Sequence, residues 1–65
     1  MQVTINGNST ELAAPVTVAD LLRDMNIDEK VAVEINREIL PRSQFSRYNL
    51  RNGDILEIVH AIGGG

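Results

Sequence analysis

Apolar and polar residues alternate along the chain in the manner of half-buried β-strands. Residues 2–5 read polar, apolar, polar, apolar, and in residues 31–35 the apolar side chains Val31, Val33 and Ile35 fall on one side. A period of two predicts strands with one face against a core. Residues 55–62 are apolar on both sides, which is typical of a strand in the middle of a sheet.

Turn-forming residues separate these strands and predict two shorter ones. Residues 6–8 read Asn-Gly-Asn and predict a hairpin, because both central positions of a tight hairpin turn need a positive φ. A second strand is then expected over residues 9–13. Pro15 has no N–H group to donate, so it should end that strand or place it at the sheet edge. Residues 36–38 predict another reversal, followed by a brief strand over residues 39–40.

One helix is predicted from Val18 to Met25 or Asn26. Thr17 precedes it as a cap for the free N–H groups of the first turn, and Asp20 completes a capping box. Apolar residues recur at helical spacing in one stripe, which consists of Val18, Leu21, Leu22 and Met25. A helix this short is unstable alone, so it is expected to lie on the sheet.

The order of elements is β-β-α-β-β-β, with one helix between the second and third strands. Residues 42–50 are expected to be irregular, with one helical turn capped by Ser43. Pairing of the last strand with the first in the sheet centre, through a right-handed crossover, gives a β-grasp (ubiquitin-like) fold. This is an α+β fold with a mixed four- or five-stranded sheet and one helix packed on one face. We predict a domain over residues 1–62 and a flexible tail over residues 63–65.

Composition supports a sheet and excludes several classes of function. Apolar residues make up 43% of the 65 residues, 13 residues are Val or Ile, and Cys is absent. The net charge of −3 argues against nucleic-acid binding, and no apolar run approaches a membrane span. Without a basic signal peptide the expected location is the cytoplasm. We expect no catalytic residue, metal site or cofactor on this chain, and interpret His60 as a surface or packing side chain.

Basic residues are concentrated in one part of the chain. Residues 37–51 carry four arginines and one acid, namely Arg37, Arg42, Arg47, Arg51 and Glu38. Such a cluster is able to dock an acidic partner, and it is equally consistent with a solvated loop.

The glycines at residues 63–65 are the one feature that folding does not explain, because glycine buries nothing and is costly to order. Extended, residues 61–65 reach at most about 16 Å, enough to thread a carboxylate into another protein. Without Cβ atoms the backbone fits a narrow channel. A frayed chain end or an engineered remnant are the alternative interpretations.

The chain resembles the sulfur carrier proteins of thiamine biosynthesis, the ThiS family. The resemblance rests on the β-grasp order, the Asn-Gly hairpin and the helix start TVADLL at residues 17–22. It also rests on AVEIN at residues 32–36, ILPR at residues 39–42, the Asn-Gly-Asp turn at residues 52–54, and IVHAIGGG at residues 58–65.

This resemblance implies a function in which the chain is acted on and is not itself an enzyme. A ThiF-type adenylating enzyme, using ATP and magnesium, would convert the Gly65 carboxylate to an acyl-adenylate. Sulfur from a donor such as a cysteine desulfurase would leave a thiocarboxylate on Gly65, for delivery to thiazole synthase. Gly63 and Gly64 would line the partner's entry channel, and Ala61 and Ile62 would form the hinge of the tail.

Other functions share the same terminal glycines. The small subunit of molybdopterin synthase has the same fold and end but is generally longer, and a carrier for another sulfur metabolite is a further alternative. A ubiquitin-like modifier would be joined through Gly65 to a lysine. A passive interaction module would not use the glycines at all. The apolar last strand with Ile62 is interpreted equally as a partner-binding patch or as core.

Overall fold

The computed structural model describes residues 1–28 and 30–60 of the chain. Within these ranges it has five strands, one α-helix and one short 3₁₀-helix. The elements are β1 (Gln2–Ile5), β2 (Asn8–Glu11), α1 (Val18–Asp24), β3 (Val31–Ile35), β4 (Glu38–Leu40), the 3₁₀-helix (Arg42–Gln44) and β5 (Ile55–His60). The predicted order of elements is confirmed.

The five strands form one mixed sheet in the order β2-β1-β5-β3-β4. The last strand is central, as its apolar sequence predicts: β5 runs parallel to β1 and antiparallel to β3. The short strands β2 and β4 lie at the two edges, each paired on one side only. The α+β prediction of a mixed sheet with one helix is therefore confirmed, and the number of strands is five.

Both hairpins turn through two residues with positive φ. Asn6 and Gly7 have φ of 49° and 85°, and Asn36 and Arg37 have φ of 52° and 73°. These are the left-handed positions of a type I′ turn, whose twist suits antiparallel strands. Because the first turn has only two residues, β2 begins at Asn8, one residue earlier than predicted.

The end of β2 also differs from its predicted position at residue 13. The strand ends at Glu11, which pairs with Gln2 at the start of β1. Beyond this point only Met1, the first residue of the chain, is left as a partner. The Leu12 N–H donates to the Met1 carbonyl at 2.8 Å and closes the ladder.

The predicted capping box is present at the start of α1. The Thr17 hydroxyl accepts from the Asp20 N–H at 3.1 Å, and the Thr17 N–H donates to the Asp20 carboxylate at 3.1 Å. The next two free N–H groups are satisfied from outside the helix: Val18 donates to the Tyr48 carbonyl at 3.1 Å, and Ala19 to the Phe45 carbonyl at 2.9 Å. The segment after β4 thus holds the helix against the sheet.

The helix ends in a Schellman motif around Asn26, whose φ is 60°. The Ile27 N–H donates to the Leu22 carbonyl at 2.8 Å, and the Asn26 N–H to the Arg23 carbonyl at 3.0 Å. The prediction that Met25 belongs to the buried stripe is wrong. Met25 is the C-cap and is 43% exposed, because the chain leaves the helical path there.

The core lies between α1, one sheet face and the segment after β4. Its buried apolar residues are Val3, Ile5, Val16, Val18, Leu21, Leu22, Val31, Val33, Ile35, Phe45, Leu50, Leu56 and Ile58. The prediction of a Ser43 cap is wrong, since Ser43 lies inside the 3₁₀-helix, Pro41 precedes that helix, and no side chain caps it. Phe45 and Leu50 anchor this segment in the core. In the described part of the chain, no helix has the length and apolarity to cross a membrane.

The capping box generates the first test. Replacing Thr17 with Ala removes the acceptor for the Asp20 N–H and should lower the free energy of unfolding by about 1 kcal/mol. Hydrogen bonds from the Thr17 N–H, then from the Thr17 hydroxyl and Arg23, hold the pKa of Asp20 below its usual 3.8. In Thr17→Ala this pKa should therefore rise towards 3.8 while staying below it.

Thermal unfolding at pH 7 and an NMR titration of Asp20 provide the measurements. A depressed carboxylate pKa stabilises the fold above the unfolded pKa, and this contribution is lost as the pH falls through the folded pKa. Thr17→Ser keeps the hydroxyl and is the control. Equal losses of stability in the Ser and Ala variants would contradict the role of the cap.

Candidate functional site at the end of the central strand

The site predicted from sequence follows directly on β5. His60 is the last described residue, and it ends the central strand opposite Val31. All the predicted site residues lie outside the described residues: Ala61, Ile62, Gly63, Gly64 and Gly65. Their roles and the domain boundary after residue 62 therefore remain predictions. The structure describes the strand from which they continue and the surface beside it.

Asn6 fixes the β1 side of the central strand beyond the point where β1 itself ends. Its N–H donates to the Leu56 carbonyl at 2.9 Å. Its side-chain oxygen accepts from the Ile58 N–H at 2.7 Å, and its side-chain nitrogen donates to the Ile58 carbonyl at 3.2 Å. The side chain thus replaces the backbone of an additional strand residue and keeps β5 bonded up to Ile58.

Asn36 fixes the start of the same strand from the other side. Its side-chain oxygen accepts from the Ile55 N–H at 3.0 Å, and its side-chain nitrogen donates to the Asp54 carboxylate at 3.1 Å. Asp54 is only 5% exposed. It also accepts from the Arg51 N–H at 2.9 Å and the Tyr48 hydroxyl at 3.3 Å, so this buried carboxylate has three donors.

The pKa of Tyr48 is shifted in this buried position beside Asp54. Burial, and then the nearby negative charge of Asp54, raise the pKa of the Tyr48 hydroxyl above its usual 10.0. Tyr48 therefore stays protonated at neutral pH and serves as a hydrogen-bond donor. The contacts among these side chains are structural, because they position β5 and leave no unpaired reactive group.

Sequence reasoning identified both asparagines only as turn residues. Asn6 and Asn36 occupy the first position of a type I′ turn, and each turns its side chain back onto β5. Turn propensity explains their φ but does not reveal a side chain that bonds to a strand distant in sequence. The signal that points to this role is an Asn, in place of Gly, at the first position of both hairpins.

The sheet has one face covered by α1 and one face without a covering element among the described residues. Cross-strand pairs share a face, so Glu34 with Glu57, Glu34 with Ile39, and Ala32 with Val59 define the uncovered side. We call it the open face. Its members in β3, β4 and β5 are Ala32, Glu34, Ile39, Ile55, Glu57 and Val59.

Apolar residues of the last strand divide between the two faces. Leu56 and Ile58 are in the core, whereas Ile55 and Val59 are 55% and 56% exposed. Ile39 on the neighbouring edge strand is 66% exposed. The interpretation as core is therefore confirmed for one face of the strand, and the interpretation of the other face as a partner-binding patch stays a prediction. Ile62 lies outside the described residues.

Other candidate chemistry on the described residues is sparse. His60 is exposed, and no group of three or more His, Cys, Asp or Glu in residues 1–28 and 30–60 is arranged to hold a metal ion. A surface cavity of about 470 Å³ lies beside the end of α1, lined by Ala19, Arg23, Asn26, Ile27 and Asp28. It brings together one arginine and one aspartate and contains no nucleophile with an adjacent base.

The fold and the site define a β-grasp domain with one covered sheet face, one open face, and a central strand that leads into the final residues. Comparison with known proteins narrows this fold class to one family. A model of the ThiS family matches residues 3–65. The chain belongs to the ThiS family.

Individual relatives agree with this assignment. The sulfur carrier protein ThiS of Escherichia coli is 32% identical over 66 residues, and the alignment covers all of both chains. The crystal structure of a ThiS thiamine biosynthesis protein from Geobacter metallireducens superimposes with a TM-score of 0.87 at 33% identity, again over all of both chains. A thiazole synthase of Paramagnetospirillum magneticum is 46% identical over 66 residues, and the chain spans 20% of its length.

The Asn6 bonds generate the second test. Asn6→Gly retains the positive φ and removes both side-chain bonds to Ile58, so it should lower the free energy of unfolding by about 1–2 kcal/mol. Hydrogen exchange of the Ile58 amide, followed by NMR, should accelerate more than that of Val33 in β3. Asn6→Asp keeps the acceptor for the Ile58 N–H and should cost less. An unchanged Ile58 exchange rate in Asn6→Gly would show that the side chain does not hold the strand.

Proposed function

We propose that this chain is a sulfur carrier for the formation of the thiazole of thiamine, with Gly65 as the residue that carries the sulfur. The observation that carries the proposal is the ThiS-family match, which extends to residue 65 and includes the terminal glycines. The full-length similarity to the Escherichia coli sulfur carrier protein supports it.

The chemistry begins with a carboxylate that is a poor electrophile at neutral pH, because it is ionised. In the proposed first step a ThiF-type adenylating enzyme binds ATP and magnesium. An oxygen of the Gly65 carboxylate attacks the α-phosphorus, pyrophosphate leaves, and an acyl-adenylate forms. ATP and magnesium belong to the partner enzyme in this proposal, and the chain supplies only the carboxylate.

Sulfur enters in the second step. A donor such as a cysteine desulfurase provides a persulfide, whose terminal sulfur attacks the activated carbon of Gly65 while AMP leaves and an acyl disulfide forms. A thiol then attacks the donor sulfur of this disulfide, so that the thiocarboxylate is released on Gly65 and the thiol and the donor cysteine are left as a disulfide. The absence of cysteine from the sequence fits this route, since no side-chain thiol is available as the carrier group.

Delivery to thiazole synthase is the proposed third step. The similarity to one part of a thiazole synthase supports this partner, since that protein contains a stretch resembling the whole of the present chain. Gly63 and Gly64 would pass through the partner's channel, where a side chain would clash. Ala61 and Ile62 would be the hinge between the sheet and this tail. The cytoplasm remains the expected location.

Intact-mass spectrometry provides the third test. After incubation with the adenylating enzyme, ATP, magnesium and a sulfur donor, the chain should gain the mass difference between one sulfur and one oxygen. Fragmentation should place this gain on Gly65. Omission of ATP should abolish it, because the carboxylate is then not activated.

A variant without Gly65 and the Gly65→Ala variant are the matched controls. Transfer should be lost in both, and the midpoint of thermal unfolding should stay within about 1 °C of the wild type, since we place the tail outside the core. Undiminished sulfur gain in either variant would contradict the assignment of Gly65. Formation of larger conjugates through a lysine, with no sulfur gain, would instead indicate a protein modifier.

A further inference from the structure

The chain has a single lysine, and the sheet places it beside the strand that leads to the terminal glycines. Lys30 is the only lysine of the sequence, since the other five cationic side chains are arginines. It directly precedes Val31, which lies opposite His60 at the end of β5. The one side-chain amine of the chain and the start of the last five residues therefore lie at the same end of the sheet.

The backbone around Lys30 is held in place on both sides. The Lys30 N–H donates to the Asp28 carboxylate at 2.9 Å, and the next residue, Val31, is buried in the core. Before this segment, the Ile27 N–H donates to the Leu22 carbonyl at 2.8 Å. Lys30 itself is exposed. Its side chain is therefore open to solvent, while its backbone is fixed relative to β5.

The last five residues are long enough to reach this amine. Opposite Cα atoms of an antiparallel pair are at most about 5.5 Å apart, and consecutive Cα atoms are about 3.8 Å apart. The four-carbon stem of a lysine adds about 6 Å, so the Lys30 Nζ lies at most about 15 Å from the Cα atom of His60. Residues 61–65 span up to about 16 Å, and their glycines permit turns that other residues avoid. The Gly65 carboxylate is therefore within reach of Lys30.

The N-terminal amine is unsuited to the same contact. The ammonium of Met1 donates to the Glu11 carboxylate at 2.9 Å and to the Leu12 carbonyl at 2.8 Å. Met1 precedes β1, and β1 runs parallel to β5 with Thr4 opposite Ile55. The N-terminal amine thus lies where β5 begins, at the other end of the sheet from Lys30.

We propose that Lys30 is an internal acceptor for the activated Gly65 carboxylate, so that a chain released as its acyl-adenylate closes into a ring through an isopeptide bond. The activated state rests on the proposed function. In the closing step the uncharged Lys30 amine attacks the carbonyl carbon of Gly65, the bond from that carbon to the phosphate oxygen breaks, and AMP leaves. The nitrogen gives one proton to solvent, and no atom is oxidised or reduced.

Ring closure competes with the other reactions of the activated carbon. A tail inside the partner's channel is shielded from Lys30, so sulfur transfer on the enzyme comes first. After release, an amine tethered by a short flexible segment acts at an effective concentration of roughly millimolar. Lysines of other proteins reach the same carbon only by diffusion and are outcompeted. The ring has no terminal carboxylate, so closure removes the chain from further cycles.

The fourth test is intact-mass spectrometry without a sulfur donor. With the adenylating enzyme, ATP and magnesium, part of the wild-type chain should lose the mass of one water molecule. The product should have the mass of a single chain, because the reaction is intramolecular. Proteolysis and fragmentation should show Lys30 joined to Gly65.

Two variants are the matched controls. Lys30→Arg keeps the positive charge, but its guanidinium stays protonated and is no nucleophile, so closure should fall by about 20-fold or more. Pyrophosphate release, and sulfur gain when a donor is added, should stay within about 2-fold of the wild type. Lys30→Arg/Arg37→Lys keeps the composition and moves the lysine to the turn beside Asn36, whose N–H donates to the carbonyl of Ile55 at the start of β5. Closure should fall by about 10-fold or more in this double variant as well.

Pyrophosphate release by the wild type without the bond between Lys30 and Gly65 would overturn the proposal. Closure in the double variant equal to that of the wild type would do the same, as would joining of the chain to lysines of other molecules. Where the enzyme releases no pyrophosphate, a water-soluble carbodiimide activates the carboxylate chemically, and absence of the same bond there would overturn the proposal.

Sulfur transfer, measured on the same proteins, separates this proposal from the proposed function. Closure through Lys30 without sulfur gain in the presence of a donor would support the internal acceptor and contradict the carrier function. Sulfur gain in the presence of a donor, with no closure in its absence, would do the reverse.

Discussion

The hydrogen bonds along both edges of β5 are the interaction on which the rest of the structure depends. Parallel pairing with β1 and antiparallel pairing with β3 place this strand in the middle of the sheet. Two asparagine side chains complete the pairing where backbone partners end: Asn6 at Ile58 and Asn36 at Ile55. Because each asparagine belongs to a hairpin turn, the two hairpins and the central strand stabilise one another. The last five residues follow this central strand in the sequence.

A single helix limits how much of this sheet is covered. The seven residues of α1 pack Val18, Leu21 and Leu22 against one face, and the segment after β4 adds Phe45 and Leu50 to the same core. The described chain offers no second layer for the opposite face. Because side chains alternate between the two faces of β5, Leu56 and Ile58 lie in the core, whereas Ile55 and Val59 are exposed. The core and the exposed aliphatic side chains of the open face thus arise from the same strand and the same period of two.

Local patterns in the sequence predicted most of the fold. The alternation in residues 31–35, the Thr17–Asp20 capping box and the Asn-Gly turn each depend on neighbours in sequence, and each is confirmed. The errors arose at the ends of helices. Met25 has helical spacing but is the C-cap of α1, within the Schellman motif, and Ser43 has cap propensity but lies inside a helix that Pro41 precedes. The alternation of side chains along β5 predicts two faces, but it does not indicate which of the two packs against the core. The terminal glycines lie outside the described residues, so their role still rests on chemistry and family membership.

The absence of cysteine bears both on the proposed chemistry and on how a partner would recognise the chain. With no side-chain thiol in the sequence, the proposed function places sulfur on the Gly65 carboxylate, and the glycines before it offer a partner no side chain to recognise. On this proposal, the partner recognises the folded domain and not the tail. A carrier of this kind separates the reacting group, which has to pass through a narrow channel, from the surface that selects the partner.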